Sequence, residues 1–396
     1  MKILIAAVSF SSNISGVERH ALNLMRCLLL QPEVSALHLV VAPWQSQMLQ
    51  SIQSHLDPRL TTHVADVNRS SRSRNLWYYL RLPALAAQLR VDMVHLSFPM
   101  PCNGSAFHCP TILTLHDMYP YEIPLNFGFP KFVLNRLALR QCLRNVDVIT
   151  CVSEATRARL KQYAGARVWQ KSVQIYNYPM TAPVPSSQSP IPGWKGEPFL
   201  LCIAQHRRNK NILTLIQAFD RLLRSGQISS HTQLVVIGIR GPESKAIDRL
   251  TSRSSLTTNI HLLEGLSEPE LQWCYLHCEA LVAPSLTEGF GAPVAEGLLA
   301  GCRIVCSDIP AHREIGEGYC RFVALGDDSA EAFAVAIASA LREPKQQPVF
   351  LLMFSAPAIG KQYVALYRRI LTSASFVPNA ASPSPIKIST SESQPL

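Results

Sequence analysis

The stretch 280-ALVAPSLTEGFGAPVAEGLLAGCRIVCSD-308 decides the architecture. Its two ends, ALVAPS and RIVCSD, are short apolar runs suited to fully buried strands, and the segment between them suits a loop followed by a helix. Pro293 fits the first turn of that helix and Gly301 its end. Strand, loop, helix and strand in this order make the repeating unit of a parallel sheet covered by helices. The same alternation recurs along the chain. KILIAAV, LHLVVAP, DMVHLSF, TILTLHD and DVITCVS are the strand candidates of the first half, and FLLCIA, QLVVIG, IHLLEG, ALVAPS, RIVCSD and RFVALGD those of the second. The fold class is therefore α/β with parallel sheets.

A chain of 396 residues exceeds what one hydrophobic core usually serves, so two domains are expected. The boundary falls in YPMTAPVPSSQSPIPGWKG, whose prolines and serines sustain neither a helix nor a central strand. This divides the chain into a domain over 1–178, a linker over 179–196 and a second domain over 197–358. A C-terminal helix over 359–372 is a candidate to return to the first domain, and a Ser- and Pro-rich tail over 373–396 is expected to be disordered. Within the second domain, NILTLIQAFDRLLRSG places Ile212, Leu215, Ile216, Phe219, Leu222 and Leu223 at helical spacing, with Asn211 to cap and Gly226 to terminate.

Composition excludes several classes. At 47% hydrophobic and 16% charged residues the chain reads as globular, and no apolar run approaches the length of about 20 residues that spans a bilayer. MKILIAAVSF reads as a first buried strand rather than a secretory signal. Eleven cysteines, an odd number, argue for a reducing cytoplasm over a disulfide framework. Cys274 with Cys278, and Cys302 with Cys306, are read as packing rather than as metal ligands. Residues 1–180 hold 18 Lys and Arg against 9 Asp and Glu, a net of +9, while the remainder is nearly neutral.

The loop after ALVAPS carries the chemistry. Open α/β folds bind ligands at the carboxyl edge of the sheet. There the amides of Gly289, Phe290 and Gly291, with the helix N-terminus, would cradle an anion such as a pyrophosphate. Glu296, in or near the first helical turn, would accept hydrogen bonds from the two hydroxyls of a ribose, and Glu288 would reach another part of the same ligand. A solvated loop with one Glu capping the helix is the bland alternative.

Glu288 followed by Glu296, within TEGFGAPVAEG, resembles the E-x7-E signature of the family 4 retaining glycosyltransferases. The likeness extends through SNISGVERHALNL, LTLHDMYPYE, VSEATRARL, HRRNKNILTLIQAF and SDIPAHREI. It implies the GT-B fold, two facing Rossmann-like domains with a cleft between them, the first on the acceptor side and the second binding a nucleotide-sugar. It further implies that Glu296 binds the ribose and that Glu288 with Gly289 to Gly291 holds the donor sugar. Lys210, assisted by Arg207 or Arg208, would neutralise the donor diphosphate. His116 would face the donor sugar with Asp117 orienting it, and Gly16 would let the first loop approach donor phosphate or acceptor. No D-x-D motif is present, so side-chain cations rather than a metal or other cofactor are expected to stabilise the leaving group. Ala204 and Gln205 depart from the pattern, since many members have glycine followed by arginine or threonine there.

The resemblance implies transfer, with retention, of a hexose from a GDP- or UDP-sugar, with mannose the leading guess, to a glycan or lipid-linked acceptor. In PKFVLNRLALRQCLRN, Arg136, Arg140 and Arg144 share a helical face beside apolar residues, which suits either a solvated face or peripheral contact with an anionic membrane from the cytoplasmic side. Nucleic acid is a weaker partner, because no recognition motif accompanies the charge. Rival readings are a sugar-nucleotide epimerase of the same fold and a catalytically idle nucleotide-sugar-binding protein. A nicotinamide oxidoreductase is discounted, because no G-x-G-x-x-G follows any strand.

Overall fold

The structure, a computed structural model, describes residues 1–11, 14–53, 57–179, 184–252 and 258–372. The expected disordered tail over 373–396 lies outside the described residues. The described residues form two compact units, 1–178 with 352–372, and 179–351.

The first unit is built on a seven-stranded parallel sheet of β1 (Lys2–Ala6), β2 (Ala36–Val41), β3 (Leu60–Val64), β4 (Met93–Leu96), β5 (Thr111–Leu115), β6 (Val148–Cys151) and β7 (Ser172–Gln174), in the order β3-β2-β1-β4-β5-β6-β7. β1 is covered on both faces. Ile3 and Ile5 enter the core on one side, and Leu4 and Ala6 enter the core on the other, as the two-residue period of a strand requires. The edge strands β3 and β7 were not marked by apolar runs, because the LTTHV of β3 carries three polar residues and β7 has only three residues.

The second unit carries six parallel strands, β8 (Phe199–Ile203), β9 (Gln233–Ile237), β10 (Ile260–Leu263), β11 (Ala280–Ala283), β12 (Ile304–Ser307) and β13 (Arg321–Val323), ordered β10-β9-β8-β11-β12-β13. The helix Ile212–Arg224 buries Ile212, Leu215, Ile216, Phe219 and Leu222 against this sheet's core.

The helix Ala356–Thr372 belongs to the first unit, where it packs on the helix Gly16–Leu29. Contact is close at Gly360, where an added Cβ would lie 2.3 Å from the Cys27 carbonyl oxygen. Its Tyr367 enters a buried polar network. Thr150 donates to the Leu113 carbonyl, which leaves its Oγ1 to accept from Thr114 at 3.1 Å. The Thr114 oxygen then accepts from Nε2 of both His20 (3.1 Å) and His95 (2.8 Å), and His95 Nδ1 accepts from the Tyr367 hydroxyl at 2.6 Å. Every proton in this chain is placed when both histidines are neutral. Burial, followed by repulsion from His116, holds the His95 pKa down to about 3. His20 is likewise lowered by burial and by His116 and His95, and burial brings His116 to about 4.

These folded values lie below the value of about 6.5 for an unfolded histidine, so the stability they carry is complete above that pH and falls away as the unfolded state takes up protons first. At pH 5 the loss is roughly 2 kcal/mol for each of His95 and His116. Thermal denaturation should show a clearly lower Tm at pH 5 than at pH 7.5, and equal values would contradict a neutral network.

Candidate active site

The strand order of the second sheet reverses between β8 and β11, and a parallel sheet opens a crevice at such a point. The loops that leave these two strands carry Lys210 and Glu288. After β8 the chain stays against β9, with Ala204 N donating to Ile237 O at 2.9 Å and His206 N to Ile239 O at 3.0 Å. Gly238 makes this approach feasible, since an added Cβ there would lie 2.1 Å from the Ala204 oxygen. A 3-10 turn over Arg208–Lys210 follows, and Leu286 N donates to Asn209 O at 2.7 Å, joining the two loops.

Lys210 Nζ then meets Glu288 Oε1 at 2.5 Å, and Ser285 Oγ donates to the same oxygen at 2.7 Å. The Glu288 side chain is only 9% exposed. Burial pushes its pKa up, but the Lys210 charge, the nearby His312 and the two hydrogen bonds outweigh that effect, and the net shift is downward. Glu288 is an anion at neutral pH.

Gly291 leads into the helix Ala292–Leu299 with φ +87°, a conformation strained for any residue with a Cβ. A Cβ at that position would also lie 3.0 Å from the His312 ring. His312 escaped the sequence reading as a site residue. The signal that could have found it is its place just beyond the carboxyl end of β12, the same signal that marks His116 beyond β5. It is buried and its Nδ1–H donates to Ser307 O at 3.0 Å. Burial lowers its pKa against the opposing pull of Glu288, so it is neutral at pH 7.

Glu296 lies just past the first turn of the Ala292–Leu299 helix, where the dipole acts weakly. A direct hydrogen bond holds it instead: the Tyr275 hydroxyl donates to Glu296 Oε2 at 2.6 Å. Gly289, Phe290 and Gly291 are buried. Arg207 and Arg208 are exposed, and neither makes an ion pair among the described residues. The Cys278 and Cys302 thiols both donate to the Tyr275 carbonyl, at 3.3 and 3.1 Å, and Cys274 and Cys306 are buried. Among the described residues no three His, Cys, Asp or Glu side chains are grouped to hold a metal ion.

The remaining candidates belong to the first unit. His116 follows β5, and its Nε2–H donates to Ser97 O at 2.8 Å, so the Ser97 carbonyl orients the ring. Asp117 accepts from Tyr119 N at 3.0 Å. Gly16 opens the helix Gly16–Leu29, with nothing within 4 Å of an added Cβ. On the helix Lys131–Asn145 the three arginines divide: Arg140 and Arg144 are exposed, while Arg136 turns back to donate to Pro120 O at 2.7 Å and lies over the rings of Tyr121 and Phe132.

Two family models match the chain: glycosyltransferase family 4 over residues 14–177 and glycosyl transferases group 1 over residues 187–350. O-antigen chain mannosyltransferase B of Escherichia coli is 22% identical over 344 residues, which span 80% of this chain and 84% of that protein. Among solved structures, the pneumococcal O-GlcNAc transferase GtfA in complex with UDP and GlcNAc superposes with a TM-score of 0.68 at 12% identity, covering 94% of this chain and 99% of that one. WaaG, a glycosyltransferase involved in lipopolysaccharide biosynthesis, gives 0.64 at 15% identity, covering 94% of this chain and all of that one. The two models account for nearly all of the chain between residues 14 and 350, and two parallel-sheet Rossmann-like units underlie both matches: the chain belongs to the group 1, family 4 glycosyltransferases of the GT-B fold.

Proposed function

We propose that this glycosyltransferase moves a hexose from a nucleoside diphosphate sugar to a glycan or lipid-linked acceptor in cell-surface polysaccharide synthesis, with retention of anomeric configuration and without a metal. The observation that carries the reading is the Lys210–Glu288 pair beside the Gly291-led helix. A diphosphate placed there meets an ammonium held by a single carboxylate, the turn that carries Arg207 and Arg208, and a helix N-terminus. The name of the mannosyltransferase relative favours mannose, and therefore GDP, with UDP the second choice.

In this mechanism the bond from the sugar's anomeric carbon to the phosphate oxygen breaks first, and Lys210, already in place beside Glu288, stabilises the departing diphosphate as its charge grows. The acceptor hydroxyl attacks from the face the phosphate leaves. Its oxygen bonds the anomeric carbon while its proton passes to the departing phosphate oxygen. Glu288, ionised and fixed by Ser285, holds sugar hydroxyls. His116 serves the sugar through Nδ1, the nitrogen its bond to Ser97 leaves unprotonated, so it accepts a hydrogen bond rather than acting as an acid.

The helix Lys131–Asn145 supports a membrane-bound acceptor. Its outer face carries Val133, Leu134 and Leu137 together with Lys131, Arg140 and Arg144, next to Phe129 at 84% exposure. No acidic residue occurs between 123 and 146. Apolar and basic residues on one face suit the boundary layer of an anionic bilayer. No helix among the described residues is long and apolar enough to cross one. The eleven cysteines, all free thiols, favour a reducing, cytoplasmic compartment.

The reaction is tested by incubating the protein with GDP-mannose and a mannose-terminated glycan and following the new anomeric proton by NMR. An α-linked product from the α-linked donor is expected, and an inverted product would refute retention. The surface is tested by sedimentation with phosphatidylglycerol vesicles: the Leu134→Glu, Leu137→Glu, Arg140→Glu, Arg144→Glu variant should stay in the supernatant, and wild-type levels in the pellet would reject this face.

A further inference from the structure

We infer that His312 is a further contact to the transferred sugar, its Nε2 accepting a hydrogen bond from one of the sugar's hydroxyls. The inference rests on the donor reading above and adds a residue to the site of Lys210 and Glu288. His312 lies on the helix Pro310–Gly316, just after β12, and its Nδ1 meets the carbonyl oxygen of Ser307, the last residue of that strand, at 3.0 Å. A carbonyl oxygen only accepts, so Nδ1 carries the proton, and in the neutral ring Nε2 is left with a bare lone pair. The residue is 1% exposed, yet Nε2 makes no hydrogen bond among the described residues. Native structures rarely leave a buried polar group unmet, and those they do leave tend to have a use.

The ring turns this edge toward the site. A Cβ added to Gly291 would lie 3.0 Å from His312 Cδ2 and 3.6 Å from Nε2, so the unprotonated nitrogen stands against the end of the loop that carries Glu288. Glu288 and Lys210 are both near enough for their charges to act on the imidazole. Hydrogen-bond complementarity then selects the part of the ligand that Nε2 meets. The oxygens of an ionised diphosphate only accept, and they offer an unprotonated nitrogen nothing. A sugar hydroxyl supplies the missing proton. The Ser307 bond fixes the ring's plane, so the lone pair keeps one direction, and a hydroxyl is recognised only where the sugar's stereochemistry puts it in line.

The test is isothermal titration of GDP-mannose and UDP-glucose, each beside its nucleoside diphosphate, into the full chain. His312→Asn keeps a donor for the Ser307 carbonyl and removes Nε2, whereas His312→Gln can return an acceptor to the place of Nε2. The nucleotide sugar that binds wild type should bind His312→Asn about five- to tenfold more weakly, the size of one hydrogen bond. The nucleoside diphosphate should bind both alike, and His312→Gln should recover most of the loss. Among monodeoxy forms of the sugar, one should weaken binding to wild type and cost His312→Asn nothing further. Wild-type affinity for the nucleotide sugar in His312→Asn overturns the inference, and is the result expected if Nε2 meets only a water. An equal loss for the nucleoside diphosphate overturns it by making the role structural, and deoxy penalties that match in the two proteins overturn it as well. Glu288→Gln separates the underlying reading. If that variant binds the nucleotide sugar as wild type does, or if wild type binds neither one, the donor is not held at this loop and His312 falls with it. If Glu288→Gln loses the sugar and His312→Asn keeps it, His312 alone is rejected.

Discussion

The Lys210–Glu288 ion pair is the contact on which the rest of the site depends. Breaking a buried pair by removing one partner typically costs about 3–5 kcal/mol, whereas the intact pair contributes close to nothing against apolar residues of the same volume. Stability alone therefore gives no reason for this chain to carry a lysine and a glutamate here, 78 positions apart in sequence. Chemistry gives one. Under the proposed function a nucleoside diphosphate leaves a sugar as its growing charge meets a cation already in place, and a lysine held by a neighbouring carboxylate is such a cation.

The fold explains why the pair forms at all. The strand order of the second sheet turns at β8 and β11, which brings the loops after those strands side by side, and the Leu286 to Asn209 backbone bond fixes their spacing. Gly238 lets the β8 loop lie against β9, and Gly291 starts a helix where His312 leaves no room for a larger residue. The first sheet has a comparable turn between β1 and β4, and His116, one strand further along, takes its orientation from the Ser97 carbonyl. Beneath it lies the neutral network of Tyr367, His95, Thr114 and His20, which joins the C-terminal helix to the first unit's sheet by hydrogen bonds that a protonated histidine would disturb.

Much of this was legible in the sequence where a residue's environment is local or repetitive. The four inner strands of the second sheet and the five inner strands of the first announce themselves as apolar runs, because they are covered on both faces, and the partly covered edge strands β10 and β13 carry apolar runs as well. β3, whose LTTHV carries three polar residues, and the three-residue β7 do not, because neither offers an apolar run. Lys210, Glu288 and Glu296 stood out by motif, yet the motif gave neither the ion pair nor the partner of Glu296. Tyr275 lies in EPELQWCYLH, a helix with little amphipathic period, and its hydroxyl acquires meaning only when tertiary packing brings it to Glu296. The inward turn of Arg136, on a face that spacing alone assigns equally to Arg140 and Arg144, is the same kind of tertiary fact.

The most direct measurement is isothermal titration of GDP-mannose and UDP-glucose, in EDTA, into the wild-type protein and into Lys210→Met. The account predicts that one of the two binds wild type with its affinity unchanged by EDTA, and that Lys210→Met weakens it by about a hundredfold, as loss of a charge-assisted contact to a diphosphate implies. Binding abolished by EDTA, or an affinity that survives Lys210→Met intact, would contradict it.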